Sequence, residues 1–393
     1  MPPARQPHAL DSRGNLYGAG LFGGVANLGV VFKLDSSASY SVLYSFSGGS
    51  DGAHPNSPVT LDTAGNIYGT TTRGGEYDNG VVYKIDPQGR ASILYSLGNG
   101  DQPPDTPTAL ALDAHGNLYG ISALGGAANA GLIFKLGTSG KATILYSFTG
   151  GTNGFLPSGL VVDGAGNLYG TADGGTQNEG LVFKLDPAGN ETTFYNFTGG
   201  VDGGGAQGLV LDTAGDLYGS AAGGSSSCNG GKDYCGVLFK LDPAGNYTVL
   251  YSFTGGASGS APLGPPTLGP EGNLYGVTFD GGAICNDCGV IYKVDANGNE
   301  SVIHSFGQEF PNGGLVFDTA GNLYGTTQND VYQIDPAGNE RVLLTSSATA
   351  GSGLQGGIAM DAAGNLYGAA SAGGRKEQGL VFKLTGLPTA WVR

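Results

Sequence analysis

The stretch DTAGNLYG, residues 318–325, decides the fold, because close versions of it recur throughout the chain. The Asn of the motif, which is Asp in one copy, recurs with gaps of 51, 51, 50, 49, 57, 49 and 43 residues. A fixed period of this kind is typical of repeat architectures. The copies leave no room for a second domain, so the sequence predicts one domain over residues 1–393. The other seven copies are DSRGNLYG (11–18), DTAGNIYG (62–69), DAHGNLYG (113–120), DGAGNLYG (163–170), DTAGDLYG (212–219), GPEGNLYG (269–276) and DAAGNLYG (361–368).

Each repeat contains four short apolar runs, which we name strands a, b, c and d. These runs are strand-length, rich in β-branched and aromatic residues, and bounded by Gly, Asp or Asn. The D-x-x-G-N segment between a and b, and segments such as LDPAGN between c and d, predict tight hairpin turns. In the third repeat the four runs are residues 109–112, 118–121, 132–136 and 143–148.

Four antiparallel strands per repeat, joined by tight hairpins, are typical of a β-propeller blade. We therefore predict an all-β protein, a single β-propeller of eight four-stranded blades with a repeat of about 50 residues. Strand d is degraded in the seventh repeat, RVLLTS at 341–346, and only residues 390–393 are left to supply it in the eighth. If one copy is degenerate, a seven-bladed ring or an open array is the alternative.

The charge balance excludes some partners. The chain has 32 acidic and 17 basic residues, a formal net charge of −15, and many of its Asp residues lie in the two hairpin turns. Seven of the basic residues are the Lys of strand c, so little basic surface is left and no nucleic-acid partner is expected. No apolar run of 18 residues exists, which predicts no membrane span, and MPPARQPHAL (1–10) lacks the apolar segment of a signal peptide.

The four cysteines lie in b–c connections, Cys228 and Cys235 in the fifth repeat and Cys285 and Cys288 in the sixth. The first pair has the spacing C-x6-C, which is wider than a zinc site of two CxxC pairs needs. Because each pair lies within one loop, we favour the disulfides Cys228–Cys235 and Cys285–Cys288, with a metal site or free thiols as alternatives. Disulfides would indicate an oxidising compartment.

The repeat unit resembles the GloVer tandem-repeat family of bacterial extracellular proteins. The resemblance covers about the whole chain and is clearest in GLVFKLDPAGNETTFYNFTGG (180–200) and GVLFKLDPAGNYTVLYSFTGG (236–256). It implies an exported, often surface-anchored propeller, and hence an extracellular or cell-surface location. It brings no catalytic residues to carry over.

Function is expected where the copies differ, because residues shared by every copy build the blade. Strands alternate in direction, so the a–b and c–d turns share one face, the turn face, and the b–c and d–a connections share the other. We name the second face the variable face, since its loops differ between repeats, and scaffolds carry function on such loops. The candidate ligand-binding residues there are Arg73, Glu76, Tyr77, Asp78, His54, Glu179, Tyr234 and Glu309.

Three functions compete for this face. Its aromatic, acidic and amide groups favour an extracellular binding or scaffold module for a neutral or cationic glycan or peptide, bound near the first, second and fourth repeats. Alternatively, a polysaccharide-active enzyme would use Glu76 and Glu179 for hydrolysis if they lie roughly 5–10 Å apart, or Tyr77 or His54 with Arg73 as a lyase. A self-assembling surface protein, joined through blade edges, is the third. No cofactor and no metal is expected, because no His cluster has metal spacing.

Overall fold

The computed structural model of the chain describes residues 8–98, 107–137, 142–224, 235–285, 288–307, 309–347, 353–354, 357–372 and 379–387. Each repeat forms one antiparallel sheet, so the described residues form eight sheets, which we number blades 1 to 8. The chain divides into two compact units, Pro7–Thr198 and Met1–Gln6 with Gly199–Arg393. The eight predicted blades are thereby confirmed. The helical elements of the described ranges are short 3-10 turns at Gly151–Asn153, Gly256–Ser258 and Pro270–Gly272.

Blades 1 to 4 belong to the unit Pro7–Thr198, and the strands of each sheet lie in chain order from a to d. Strand a of blade 2 is split into two pieces, because prolines in HPNSP (54–58) remove backbone donors. The strands are β1 (His8–Leu10), β2 (Leu16–Gly20), β3 (Val30–Leu34), β4 (Tyr40–Ser45), β5 (Ala53–Pro55), β6 (Thr60–Leu61), β7 (Ile67–Arg73), β8 (Val81–Ile85), β9 (Ala91–Ser96), β10 (Pro107–Leu112), β11 (Leu118–Ser122), β12 (Leu132–Leu136), β13 (Ala142–Ser147), β14 (Phe155–Val162), β15 (Leu168–Asp173), β16 (Leu181–Leu185) and β17 (Glu191–Asn196).

Blades 5 to 8 belong to the second unit, and strand a of blade 6 is split in the same way as that of blade 2. Blade 8 shows three strands among the described residues, and the last strand predicted for 390–393 lies outside them. The strands are β18 (Gly204–Leu211), β19 (Leu217–Gly223), β20 (Val237–Leu241), β21 (Tyr247–Ser252), β22 (Ser260–Pro262), β23 (Thr267–Leu268), β24 (Leu274–Asp280), β25 (Val290–Val294), β26 (Glu300–Ser305), β27 (Val316–Phe317), β28 (Leu323–Thr326), β29 (Asp330–Ile334), β30 (Glu340–Thr345), β31 (Ile358–Met360), β32 (Leu366–Ala370) and β33 (Leu380–Leu384).

The repeated motif forms the a–b turn and the first half of strand b. Its first Gly closes the turn with a positive φ, +84° at Gly321, a conformation that other residues rarely adopt. Its last Gly lies under the aromatic ring that strand c contributes at the paired position. In blade 3 a Cβ on Gly120 would overlap the ring of Phe134, so a larger residue would push the two strands apart.

Adjacent blades within a unit pack through aromatic side chains. In blades 1, 3, 5 and 6 the Phe that follows strand d packs against the strand-c aromatic of the next blade, as Phe148 does on Phe183 with ring centroids 5.3 Å apart. In the second unit Phe253 packs on Tyr292 over 5.0 Å. These rings are among the largest fully buried side chains of the described residues. Burying such rings supplies a large part of the stabilisation of the blade interfaces.

Candidate functional site

The Asp of the motif is held in a network that the turn itself provides. In blade 2, Asp62 Oδ1 accepts the backbone N–H groups of Ala64 and Asn66 at 3.0 and 2.8 Å. Its Oδ2 accepts the Asn66 side-chain amide at 2.7 Å and the Tyr68 hydroxyl at 3.0 Å. Partial burial acts to raise the pKa of Asp62, but these four hydrogen bonds outweigh it and lower the pKa. The same network holds Asp11, Asp113, Asp163, Asp318 and Asp361.

The Lys of strand c is also engaged within its own blade. Lys84 Nζ lies 5.7 Å from the centre of the Tyr68 ring, a cation–π contact that recurs in blades 1, 3, 4, 5 and 8. In blade 7, Gln333 replaces the Lys and donates to the Tyr324 hydroxyl over 3.1 Å. The repeated polar residues of the turn face therefore have structural partners. We expect functional residues at positions that depart from the repeat pattern.

The b–c loops of the first unit share one closed conformation, and this accounts for Asp78. Asp78 has a positive φ of +56°, and its Oδ1 accepts the backbone N–H of Gly74 over 2.9 Å. Asn27 and Asn129 do the same in blades 1 and 3, each with a positive φ. Asp78 thus closes its loop and recurs in this role at the repeat interval, and its contact with a ligand stays a prediction.

His54 occupies a second recurring backbone position, at the start of strand a where the chain arrives from the d–a loop. Its φ is +56°, and the equivalent residues Leu156 and Ala261 also have a positive φ. Here the backbone is constant while the side chain changes from blade to blade. The His54 imidazole Nδ1 lies 3.1 Å from the Leu21 carbonyl oxygen, and the ring packs edge-on against Phe22 with centroids 5.4 Å apart.

Arg73, Glu76 and Tyr77 follow one another on the exposed b–c loop of blade 2. Arg73 ends β7 and pairs with Ala53, which places it on the strand next to the one that carries His54. The Glu76 backbone N–H donates to the hydroxyl of Ser96 over 3.3 Å. Arg73 takes part in none of the three ion pairs found in the described ranges. Its guanidinium is exposed and available to a ligand.

Tyr77 is 42% exposed, and Phe22, which packs on His54, is 58% exposed. Local desolvation, followed by a hydrogen bond to the Glu76 carboxylate, raises the pKa of Tyr77. A lyase that used Tyr77 as its base would need the opposite shift. We name the group Phe22, His54, Arg73, Glu76 and Tyr77 the blade 1–2 surface.

The remaining predicted residues are distributed over other blades. Glu179 is half-buried in the b–c loop of blade 4, and the described part of the chain shows no contact between it and Glu76. Glu309 accepts the Thr327 hydroxyl and, over 2.8 Å, the Asn329 side-chain amide, so it ties the d–a loop of blade 7 to the b–c turn of the same blade. Tyr234 lies outside the described residues.

Cys285 and Cys288 form the predicted disulfide within the b–c loop of blade 6. Cys235 is disulfide-bonded as well, whereas its predicted partner Cys228 lies outside the described residues. Across the described ranges, no three His, Cys, Asp or Glu side chains come together as metal ligands. No helix in those ranges is long and apolar enough to cross a membrane.

Two features of the second unit were missed from the sequence. On the variable face, Phe279 of blade 6 stacks on Phe310 of blade 7, with ring centroids 5.5 Å apart. On the turn face, blades 6 and 7 form an open cavity of about 370 Å³ that Tyr275 and Lys293 line. A signal for the cavity was present in the sequence, since GPEGNLYG (269–276) is the copy of the motif that lacks the Asp.

The blades and their order define a β-propeller protein built from tandem repeats. The chain belongs to the Gloeobacter/Verrucomicrobia repeat family, whose model matches residues 3–232 and 226–391. This confirms the resemblance to the GloVer repeats. No curated protein matches the sequence.

Solved structures similar to this chain include enzymes of different kinds. Virginiamycin B lyase from Staphylococcus aureus is 13% identical with a TM-score of 0.53, covering 84% of this chain and 94% of that one. A puromycin hydrolase is 12% identical with a TM-score of 0.54, covering 88% and 54%. Dipeptidyl peptidase 4 from Porphyromonas gingivalis is 11% identical with a TM-score of 0.56, covering 94% and 58%. At these identities the likeness shows the fold alone, because propellers host many unrelated activities.

Proposed function

We propose that the chain is an extracellular binding module that recognises a glycan or a peptide through the variable face of blades 1, 2 and 4. One observation carries the proposal. At the d–a position the backbone keeps a positive φ while the side chain is His54, Leu156 or Ala261. The backbone at this position is the same in the three blades, whereas the side chain differs. Such a surface is suited to recognition, because its framework is preorganised and its side chains can be varied to fit a ligand.

The chemistry of the blade 1–2 surface supports a sugar or peptide ligand. The exposed rings of Phe22 and Tyr77 offer apolar faces, and aromatic rings contribute large contact areas at low cost in side-chain entropy. Arg73, Glu76 and His54 add donors and acceptors of the kind that bind hydroxyl and amide groups. Aromatic platforms rimmed by polar groups are common in binding sites.

The charge of the chain narrows the ligand class. With a formal net charge of −15, the chain repels strongly anionic polymers at long range. We therefore favour a neutral or cationic ligand, with Arg73 as a local site for a single carboxylate. The disulfide of blade 6 agrees with an extracellular location, because such bonds persist in oxidising compartments.

The test is a comparison of two double variants in the same blade. In E76A/Y77A, loss of the anchors should weaken ligand binding by about 1–3 kcal/mol without unfolding the chain, since both side chains lie on an exposed loop. The matched control is T63A/Q88A, which truncates two exposed residues on the turn face. A glycan array and a peptide library would supply ligands, and titration calorimetry would measure both variants against the wild type.

Three outcomes would contradict the proposal. The wild type could bind no glycan or peptide, E76A/Y77A could bind as tightly as the wild type, or T63A/Q88A could lose binding instead. The third outcome would place recognition on the turn face. A further single variant, F22A, separates the aromatic contribution from the charge of Glu76 and is expected to weaken binding by a similar amount.

A further inference from the structure

A cavity lies on the turn face of the second unit, away from the loops discussed above. The cavity of about 370 Å³ between blades 6 and 7 is large enough for a monosaccharide-sized molecule. Blade 6 contributes Tyr275, Lys293, Ser301 and Ile303, and blade 7 contributes Leu323 together with the c–d turn at residues 335–338. The cavity is thus lined by one cation, by the hydroxyl groups of Tyr275 and Ser301, by backbone groups of the c–d turn, and by a few apolar side chains.

The cavity coincides with a break in the repeated motif. Blade 6 has Gly269 where other blades have the Asp that accepts the tyrosine hydroxyl. The Tyr275 ring instead occupies the space beside Gly269, where a Cβ would overlap it, and packs edge-on against Phe317 with centroids 4.7 Å apart. The tyrosine of this blade has therefore left the position that the network of Asp, Asn and Tyr holds elsewhere.

The displacement changes the surroundings of Lys293. In blades 1 to 5 and blade 8 the equivalent Lys lies 5.2–5.7 Å from the centre of its tyrosine ring. Among the described residues, Lys293 makes no such ring contact and joins no ion pair. The charged group on which it acts is the partly exposed turn residue Asp295, whose pKa is lowered first by hydrogen bonds from Asn299 and also by the charge of Lys293. Lys293 is accordingly the cation that a ligand in the cavity would meet.

The carboxylate among the residues that line the cavity, Asp335, is already hydrogen-bonded. Asp335 accepts the backbone N–H groups of Ala337 and Asn339 at 2.9 and 2.8 Å and the Asn339 side-chain amide at 2.8 Å. Its hydrogen-bonding capacity is used by the turn, but its negative charge still disfavours a doubly charged ligand. A cavity lined by one Lys and one Asp should therefore bind a ligand with a single negative charge more readily than a phosphate.

We propose that this cavity binds a small polyhydroxylated carboxylate, a uronic acid or a molecule of similar size and charge. The carboxylate would pair with the Lys293 ammonium group, and the sugar hydroxyls would bond to the hydroxyls of Tyr275 and Ser301 and to the turn backbone of blade 7. The apolar face of the sugar ring would lie against Val302 and Pro336, two exposed residues that also line the cavity. This site and its ligand are independent of the binding surface on blades 1, 2 and 4.

The experiment titrates the intact chain with D-glucuronate and with D-glucose, its neutral match, using ligand-observed NMR and calorimetry. The wild type should bind glucuronate at least about tenfold more tightly than glucose, because a charge-assisted hydrogen bond is stronger than a neutral one. K293M should lower the affinity for glucuronate at least about tenfold for the same reason. G269D restores the carboxylate of the other blades and should abolish binding by returning Tyr275 to their arrangement.

The matched control is K184M in blade 4, which removes the same charge from the same strand-c position where the Lys lies over Tyr169. Its affinity for glucuronate should stay within about twofold of the wild type, because long-range charge effects are screened by salt. The proposal is wrong if the wild type fails to bind glucuronate, if glucose binds equally well, or if K293M binds like the wild type. Equal losses in K293M and K184M would also overturn it. If G269D fails to fold, the comparison of K293M with K184M still decides.

Discussion

The hydroxyl of Tyr324 donates a hydrogen bond to Oδ2 of Asp318 over 2.9 Å, and the tyrosine that makes this bond is only 1% exposed. The same oxygen accepts the side-chain amide of Asn322 over 2.7 Å. Partial burial acts to raise the pKa of Asp318, but the hydrogen bonds outweigh it and the pKa is lowered. This carboxylate thus serves the fold in its charged form.

The first prediction is a loss of stability in acid. A carboxyl group whose pKa is lower in the folded chain stabilises it above the unfolded value, about 3.9 for Asp, and this contribution disappears as the pH falls through the folded pKa. The free energy of unfolding should therefore fall steeply below about pH 4. The turn aspartates with a lowered pKa are Asp11, Asp35, Asp62, Asp86, Asp113, Asp163, Asp186, Asp242, Asp295, Asp318, Asp335 and Asp361.

Four other carboxyl groups oppose this trend. Burial raises the pKa of Asp173, Glu191, Glu300 and Asp330, so their protonation in acid favours the folded chain. They are fewer than the turn aspartates, and the net effect should remain destabilising. Urea denaturation at pH 7, 5, 4 and 3 measures it, and an unfolding free energy that stays constant down to pH 3 would contradict the prediction.

The second prediction concerns the tyrosine hydroxyl. Y324F removes a bond to a charged acceptor and leaves the Gln333 side chain without the hydroxyl to which it donates, so it should lower the free energy of unfolding by about 1–2.5 kcal/mol. Y275F is the matched control, because Tyr275 holds the same motif position beside a turn without the Asp. Y275F should cost clearly less, and equal losses in the two variants would show that the carboxylate contact contributes little.

The third prediction exploits the copy DTAGDLYG in blade 5. Asp216 stands where other copies have Asn, so Asp212 lacks the side-chain amide donor, and the Asp216 carboxylate pairs with Lys240 over 2.6 Å. D216N exchanges a half-exposed ion pair for an amide donor to a carboxylate, so it should stabilise the chain by about 0.5–1.5 kcal/mol. The reverse change in blade 4, N167D, removes a donor 2.7 Å from Asp163 and should destabilise. Thermal unfolding of D216N and N167D would measure both changes in stability. Changes of the same sign in the two variants would contradict the prediction.

The fourth prediction concerns the cysteines. Because the Cys285–Cys288 bridge closes a very short loop, the variant C285A/C288A should lose only about 2 kcal/mol or less. Its main effect should be on the shape of the b–c loop. Peptide mapping without reduction should also find Cys228 joined to Cys235. A bridge between the two loops, or bound zinc, would show that the proposed pairing is wrong.

The blades could be predicted because each one repeats a local pattern of turn and strand residues at a fixed interval. The variable face was harder to predict from the sequence. The role of Asp78 depends on a positive φ, which the residue type alone does not indicate. Its recurrence with Asn27 and Asn129 at intervals of 51 residues would have identified it as part of the loop framework. The cavity at Lys293 is hard to predict because it follows from the absence of an Asp at Gly269. The effect of that absence on the position of Tyr275 is visible only in the structure.

The constant backbone beneath His54, Leu156 and Ala261 has a practical consequence for protein engineering. Each of these residues lies in a segment that begins with a Gly and ends with a Pro, GAHP (52–55), GFLP (154–157) and GSAP (259–262), and one backbone conformation carries three different side chains. Such positions can be varied among residues that accept a positive φ, which excludes the β-branched ones. The chain therefore offers grafting sites in several blades, comparable to the hypervariable loops of an antibody domain, in which affinity can be selected one blade at a time.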